Sequence, residues 1–268
     1  MTALVIIGSL LSVGFWEFCL PRRRRQFPAL GRRLGNLGFW VVNLVLAAFL
    51  LGPPGRVRGM LENAVAAHLP AWPIGNAGLS LVAGFLVLDL MRYAVHRCEH
   101  AVPLFWRFHA LHHSDPDVDV TTSLRHHPCE YILASIPFWL AAVVFDMPAA
   151  VIASYGLVVF SSEALQHANI CQPERLERWL RPVLVTTDMH RIHHSVAVDQ
   201  ANANFGAVFS IWDRLFGSYA LIARARHREI MFGVRELPVR DCLTPARMML
   251  TPWLLPGDAR GAPARRRV

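Results

Sequence analysis

The sequence contains no lysine, and charged residues fill only 17% of its 268 positions. Hydrophobic residues make up 54%, which is high for a soluble domain and usual for an integral membrane protein. The net charge of +8 rests on arginine, much of it in two runs, Arg22 to Arg25 and Arg265 to Arg267. The arginines flank apolar segments, whereas a nucleic-acid-binding protein presents a basic stripe on a soluble fold. We therefore expect no nucleic-acid partner.

Cysteine is also scarce, and its five positions are scattered without a Cys-x-x-Cys pair. This spacing argues against a disulfide framework and against an iron–sulfur cluster. We expect isolated, reduced thiols on the cytoplasmic side or within the membrane.

Five apolar segments approach the length of a membrane helix. Their predicted bounds are Thr2 to Leu20, Leu37 to Leu51, Ile74 to Val95, Tyr131 to Phe145 and Pro148 to Phe160. The last two are short for a full crossing, so a tilted or re-entrant hairpin is the alternative. The arginines between the first two segments predict a cytoplasmic loop. The predicted fold class is all-α: an integral membrane protein with about four to five transmembrane or re-entrant helices and a cytosolic helical cap.

Two further segments carry weaker patterns. Met60 to His68 predicts a short interfacial helix outside the membrane, in which His68 is an interfacial side chain. Gly257 to Val268 is rich in Gly, Ala, Pro and Arg and predicts a disordered basic tail near lipid headgroups. His227, within the run Arg224 to Arg228, is expected to be a solvated basic residue.

Eight of the thirteen histidines fall into three short clusters beside the apolar segments. The clusters are His96-Arg-Cys-Glu-His100, His109-Ala-Leu-His112-His113 and His190-Arg-Ile-His193-His194. Residues three or four apart share a helix face, so each cluster can direct two or three imidazoles to one point. Even six such histidines exceed the usual ligands of one catalytic metal ion, which predicts a polynuclear site. Adjacent histidines on a helix point about 100° apart. Both members of such a pair therefore take part only if the site contains two ions, or if one histidine supports a ligand instead of binding metal.

Several residues outside the clusters are candidates for the same site. His167 leaves the fifth apolar segment on the cytoplasmic side, and His127 is expected to be a ligand or to support one. Asp89, inside the third segment, has two readings: it accepts a ring N–H from a ligand histidine, or it pairs with Arg92.

The donor set alone leaves the chemistry open. The donors are nitrogen, the Glu-x-x-His repeats of ferritin-like di-iron proteins are missing, and a structural zinc ion needs only four ligands. Two neighbouring metal ions suit either hydrolysis or oxygen activation, and the spacing does not choose between iron and zinc.

From Gly84 to Tyr219 the sequence resembles the fatty acid hydroxylase and sterol desaturase superfamily of membrane di-iron oxygenases. The resemblance rests on the three clusters and on four further stretches: Asp89-Leu-Met-Arg92 leading into His96, Asp119 to Pro128 with Arg125-His-His127-Pro128, His167-Ala-Asn169, and Asn204-Phe-Gly206 running on to Trp212-Asp-Arg-Leu-Phe-Gly217. It divides the chain into N-terminal membrane spans and loops (1–83), a catalytic domain (84–219) and a C-terminal cytosolic segment with a basic tail (220–268).

The resemblance implies a reaction that uses O2 and two electrons at an unactivated C–H bond of a lipid, with hydroxylation preferred over desaturation. It implies two iron ions held by about ten histidines: His96, His100, His109, His112, His113, His127, His167, His190, His193 and His194. The groups expected beside these ligands are Asp89, Arg92, His126, Glu130, Asp188, Asn169 and Asn204. Where many bacterial relatives have an acidic stretch, this chain has Gln200-Ala-Asn202-Ala-Asn204, with amides in place of two carboxylates.

The resemblance also implies partners and a location. No fused electron carrier is present in the sequence, so a separate ferredoxin, or a cytochrome with its reductase, is expected to supply electrons. The expected location is the bacterial inner membrane, with the histidines on the cytoplasmic side. Two alternatives remain: a membrane dimetal hydrolase, which would not consume O2, and a non-catalytic metal-binding membrane protein.

Overall fold

The computed structural model describes residues 2–51 and 74–256. Within these ranges the chain is helical and forms no β-strand, only isolated β-bridges. The predicted interfacial helix from Met60 to His68 and the predicted tail from Gly257 to Val268 lie outside the described residues.

Eight longer helices carry the architecture. They are α1 (Thr2–Cys19), α2 (Ala29–Leu51), α3 (Ala77–Ala101), α4 (Pro103–His113), α5 (Pro128–Val144), α6 (Ala149–His167), α7 (Glu174–Leu180) and α8 (Thr187–His193). Short helices follow as α9 (Val198–Ala201), α10 (Ile211–Leu215), α11 (Pro245–Met249) and α12 (Thr251–Leu254), and 3₁₀-helices occupy Val120–Leu124, Arg224–Arg228 and Val239–Cys242. Each of the five predicted apolar segments forms a helix, although α2 already begins at Ala29, ahead of the predicted Leu37.

Two of these helices, α3 and α6, are long and apolar enough to cross a membrane, judged by length and composition. Helices α1 and α5 contain shorter apolar stretches. Large apolar side chains point outward from α1 and α2: Phe15 is 70% exposed, Phe18 78% and Phe49 79%. Soluble proteins rarely present such a contiguous apolar surface, whereas helices in contact with lipid do.

Helix α3 is the central element and packs against α4, α5 and α6. Asn76 caps its N-terminus by accepting a hydrogen bond from Leu79 N at 3.0 Å. Gly84 allows α6 to approach closely, since a Cβ atom at this position would lie 2.3 Å from Val151 Cγ1. At the other end, Val102 adopts an extended conformation and Pro103 occupies the first turn of α4. The α3–α4 junction thereby brings two histidine clusters together.

Buried ion pairs attach the first two helices to the loop that follows α4. In α1, Glu17 is 1% exposed and accepts hydrogen bonds from Arg25, from Arg33 and from the backbone N–H of Val120. A buried charge is tolerated in an interior only when it is paired in this way.

In α2, fully buried Arg32 bonds to Asp115 and Asp119. Burial opposes the ionisation of Asp115, but Arg32 and Arg125 outweigh it and lower the pKa of Asp115 to about 2. The N-terminal helices therefore belong to the same folded unit as the histidine-bearing segments.

Candidate metal centre

Five histidines converge to form the first of two ligand groups that consist of histidine alone. The group consists of His96 and His100 from α3, His109 and His113 from α4, and His193 from α8. One ring nitrogen of each lies within 4.8 Å of those of the others, and all five side chains are buried. The closest contacts join the Nε2 atoms of His96 and His193 at 3.0 Å and those of His100 and His113 at 3.1 Å.

Four histidines form the second group beside the first. They are His112 from α4, His167 from α6, and His190 and His194 from α8 and its C-terminal cap. His167 Nε2 lies 2.9 Å from His190 Nε2 and 3.0 Å from His112 Nε2. The two groups adjoin where the rings of His113 and His194 stack, with centroids 4.4 Å apart. The structure thus arranges nine histidines as two neighbouring sites.

The outer nitrogens of several rings fix which nitrogen faces the centre. His96 Nδ1 lies 2.9 Å from Phe205 O, and His193 Nδ1 lies 2.8 Å from Ala203 O. A carbonyl only accepts hydrogen bonds, so each Nδ1 carries the proton and each Nε2 exposes its lone pair. These two lone pairs then face each other at 3.0 Å with no proton between them. Two lone pairs that face each other in this way are the arrangement expected of imidazoles that share a metal cation.

The spacing of the nitrogens also fits a metal ion. Metal–imidazole bonds of about 2.1 Å place neighbouring ligands of an octahedral ion about 3.0 Å apart. The shortest Nε2–Nε2 distances in both groups range from 2.9 to 3.1 Å. Each group can therefore hold one metal ion through imidazole nitrogen alone.

Burial keeps the three rings of the third cluster neutral, as ligation requires. Desolvation and the neighbouring imidazoles lower the pKa of His193 to about 3 and hold the pKa values of His190 and His194 well below the ordinary range. At neutral pH these rings need not lose a proton before binding a metal ion.

Glu130, in the first turn of α5, supports the centre from the outside. Its Oε1 accepts hydrogen bonds from His109 Nδ1 and from His126 Nδ1, both at 2.8 Å. The ring of His126 stacks on His112 with centroids 4.5 Å apart. Burial lowers the pKa of His126, but the charge of Glu130 outweighs it and raises that pKa above its ordinary value. Both residues thus contact members of the histidine groups directly.

Both roles predicted for Asp89, accepting a ring N–H from a ligand histidine and pairing with Arg92, are wrong. Its carboxylate accepts hydrogen bonds at 2.9–3.0 Å from Tyr155 Oη of α6, from Trp212 Nε1 and from the backbone N–H groups of Val208 and Phe209. Four donors use up the carboxylate, so it contacts neither a ligand histidine nor Arg92. Asp89 instead holds the segment 205–212, which carries Phe205 O, against α3.

Arg92 pairs with two glutamates instead of with Asp89. Its guanidinium nitrogens lie 3.5 Å from Glu99 Oε2 and 3.5 Å from Glu163 Oε1. Sequence reasoning passed over both glutamates. The signal for Glu99 was its place inside the first cluster, seven residues after Arg92 and therefore on the same helix face.

Asp188, Asn169 and Asn204 lie near the centre but do not contact its ligands. Asp188 forms a buried ion pair with Arg22, and Asn169 Nδ2 donates to Arg23 O. Asn204 has a φ of 59° and donates through Nδ2 to Met189 O and Ala220 O, both at 3.0 Å. Asp188 and Asn204 attach neighbouring segments to α8, whereas Asn169 attaches the end of α6 to the segment that follows α1.

His127 does not join either ligand group, so its predicted metal-binding role is corrected. It caps the N-terminus of α5, where its Nδ1 accepts a hydrogen bond from Cys129 N at 3.1 Å. Its Nε2 faces Met249 O at 3.3 Å, and its ring packs against Phe108. His227, expected at the surface, is only 2% exposed.

Two cavities adjoin the histidines. One of about 10 Å³ is lined by residues of both groups, including His96, His109, His112, His167 and His190, and is large enough for one water-sized molecule. The other, of about 250 Å³, lies between α3, α4 and α5, and its lining includes Val95, Phe105, Phe108, Leu133 and Glu130. Because Glu130 also bonds to His109, this apolar cavity ends beside the centre.

Comparison with known proteins identifies the family. Residues 81–218 match the family model described as fatty acid hydroxylase, which is half of the chain. The chain belongs to this family. The matched range contains all nine converging histidines and the helices that position them.

Relatives within the family carry different names. Ornithine lipid hydroxylase OlsE of Rhizobium tropici is 29% identical over 227 residues, covering 80% of this chain and 66% of that protein. Alkylglycerol monooxygenase of Xenopus tropicalis is 29% identical over 178 residues (65% of this chain, 38% of that protein), and human lathosterol oxidase is 26% identical over 183 residues (67% and 56%). The chain therefore matches less than two thirds of the length of these relatives. No solved structure matches it.

Proposed function

We propose that the chain is a membrane di-iron oxygenase that uses O2 to hydroxylate an unactivated C–H bond of a lipid. The observation that carries the proposal is the convergence of nine imidazoles into two adjoining groups beside an apolar cavity. Membership of the fatty acid hydroxylase family supports it, and the three relatives are named as a hydroxylase, a monooxygenase and an oxidase.

The first group would hold one iron ion and the second group the other. Iron bound there would supply the activation of O2 that a C–H bond without acidic or basic character requires. The protein supplies the orientation. Backbone carbonyls fix the rings of His96, His193 and His167 through Nδ1, and the Glu130 carboxylate fixes His109. Such supporting hydrogen bonds hold each ligand in its binding tautomer.

The apolar cavity between α3, α4 and α5 would receive the lipid. A volume of about 250 Å³ is smaller than pockets that enclose a whole drug-sized ligand, typically about 300–1,000 Å³. It would therefore hold one segment of a lipid, while the remainder stays in the membrane. The relatives act on an ornithine lipid, an alkylglycerol and a sterol by their names, so a membrane lipid is the shared substrate class.

The site would lie at the cytoplasmic face of a bacterial inner membrane. The arginines after α1 support this orientation by the positive-inside rule. Two electrons per turnover would come from a separate ferredoxin, or from a cytochrome with its reductase.

The decisive experiment measures oxygen consumption by the purified, iron-loaded protein with reduced ferredoxin and a lipid extract. We expect O2 uptake that depends on the lipid, and a product heavier than its precursor by one oxygen atom, detected by mass spectrometry. Lipid cleavage without O2 uptake would indicate a dimetal hydrolase. Tight metal binding with no lipid turnover would indicate a non-catalytic metal protein. Either result contradicts the proposal.

A further inference from the structure

The apolar cavity has a charged wall on the side of the metal centre. Eleven residues line it, and only Glu99 and Glu130 carry a charge. A carboxylate is costly in apolar surroundings unless its oxygens accept hydrogen bonds. The bonding of each glutamate therefore indicates what it does.

The two glutamates differ in this respect. Both carboxylate oxygens of Glu130 have hydrogen-bond partners. Its Oε1 accepts hydrogen bonds from two histidines, and its Oε2 accepts one from His127 N at 3.3 Å. Glu99 is only 4% exposed, and its buried Oε2 has no hydrogen-bond partner within residues 2–51 and 74–256. The nearest cationic group, Arg92 Nη1, lies 3.5 Å away and contributes charge without a hydrogen bond. His109 Nδ1 lies 3.8 Å from the same oxygen and is already bonded to Glu130.

We propose that Glu99 is a substrate-recognition residue that accepts a hydrogen bond from a neutral donor on the lipid, a hydroxyl or an amide N–H. This inference rests on the proposed lipid oxygenase function and narrows its substrate class. The donor is neutral because the lining residues other than Glu99 and Glu130 are uncharged, and a cation is costly to bury in such surroundings.

The position of Glu99 relates the donor to the reaction. Glu99 lines the cavity at the end where Glu130 contacts His109, a member of the first ligand group. A lipid that bonds to Glu99 therefore places carbons next to its hydroxyl or amide beside the centre. Lipids whose chains are joined only by ester or ether links lack such a donor and leave the carboxylate unpaired. A site of this kind discriminates strongly against analogues without the donor.

The test measures binding, with no turnover involved. The probes are N-methyldodecanamide and methyl dodecanoate. They differ at one position only, where the amide has an N–H group and the ester has an oxygen atom. Each is titrated onto the iron-loaded full chain in detergent micelles, without O2 or reductant. We expect the wild-type protein to bind the amide about 10- to 100-fold more tightly than the ester, as for a hydrogen bond to a buried charge.

Three variants separate recognition from folding. Glu99→Leu should bring the amide-to-ester affinity ratio close to one. Glu99→Gln keeps an accepting oxygen without the charge and should retain a smaller preference, about 2- to 10-fold. Leu133→Ala, on the same cavity wall, should weaken both probes alike and leave the ratio unchanged.

Equal affinities in the wild-type protein would overturn the inference, as would a preference that survives in Glu99→Leu. Loss of bound iron in both Glu99 variants would also overturn it, because Glu99 would then act on the metal. Absence of O2 uptake with any lipid would contradict the proposed oxygenase function, whereas the binding ratio does not depend on turnover. The two failures are thus distinguishable.

Discussion

At the scale of the residue, adjacent histidines belong to different groups of the candidate metal centre. His112 and His113 are neighbours in the chain, yet His113 belongs to the first group and His112 to the second. His193 and His194 separate in the same way. Consecutive helical side chains point about 100° apart, so each pair contributes to two groups that lie side by side. The i, i+4 partners, such as His190 and His194, belong to the same group.

His193 and His127 offer a matched comparison of two buried histidines. We expect His193→Ala to lose bound iron and O2 uptake, because this ring is the one α8 contributes to the first group. We expect His127→Ala to keep its iron and its activity and to lose about 1 kcal/mol of stability with the helix cap. Metal analysis by mass spectrometry and thermal unfolding in detergent measure the two effects. Iron loss in His127→Ala equal to that in His193→Ala would return His127 to the ligand set.

At the scale of the helix, α3 serves packing and chemistry on different faces. Gly84 contacts α6, Asp89 holds the segment after Ala203, and Arg92 and Glu99 lie toward the glutamate-lined wall. His96 and His100 complete its C-terminal turn at the centre. A displacement of α3 against α6 would therefore move two ligands at once.

Gly84 tests this dependence on close packing. In Gly84→Ala the new Cβ would lie 2.3 Å from Val151 Cγ1, and the stiff valine cannot move aside within its helix. We expect a loss of about 1–3 kcal/mol in the free energy of unfolding, together with lower iron content.

The control is Gly156→Ala in α6, where no atom of the described residues lies within 4 Å of the new Cβ apart from the helix's own nearby backbone and the two chain neighbours. Alanine is a better helix former than glycine, so this variant should be neutral or more stable by up to about 1 kcal/mol. Thermal unfolding followed by circular dichroism compares the two. Equal stability of both variants would show that the α3–α6 contact tolerates a methyl group.

The whole molecule depends on burying many neutral imidazoles in one place. They come from α3, α4, α6 and α8, and the ion pairs of Glu17 and Arg32 hold α1 and α2 around them. Burying uncharged histidines links the fold to pH, because unfolded histidines bind protons more readily than these do.

We expect the metal-free protein to lose stability as the pH falls from about 6.5, the pKa of an unfolded histidine, toward about 3, the folded pKa of His193. In this window the unfolded chain binds more protons than the folded one, so stability rises with pH and is complete above 6.5. Asp115 has a folded pKa of about 2, so it adds a second loss of stability as the pH falls below about 3.8, the ordinary pKa of an aspartate. Unfolding midpoints measured in detergent across this range provide the test. In the variant His193→Asn, stability should depend less steeply on pH above pH 4. An unchanged slope of stability against pH would contradict the contribution assigned to His193.

The sequence by itself determined the class of fold, the five apolar helices and the convergence of three histidine clusters. These features are local: helical periodicity and the affinity of imidazole for metals act within a few residues. For the same reason the 100° offset between adjacent histidines already indicated either two metal ions or a supporting role for one histidine of each pair.

Only the tertiary structure decided which histidines converge in the same group, and that His127 caps a helix and lies outside both groups. It also decided that Asp89 bonds to residues 208–212, that Arg92 pairs with Glu99, and that Glu99 faces a cavity. Each of these facts depends on contacts between segments far apart in the chain. A ring or carboxylate takes whichever partner the packed helices bring within hydrogen-bonding distance, and local spacing carries no information about that choice.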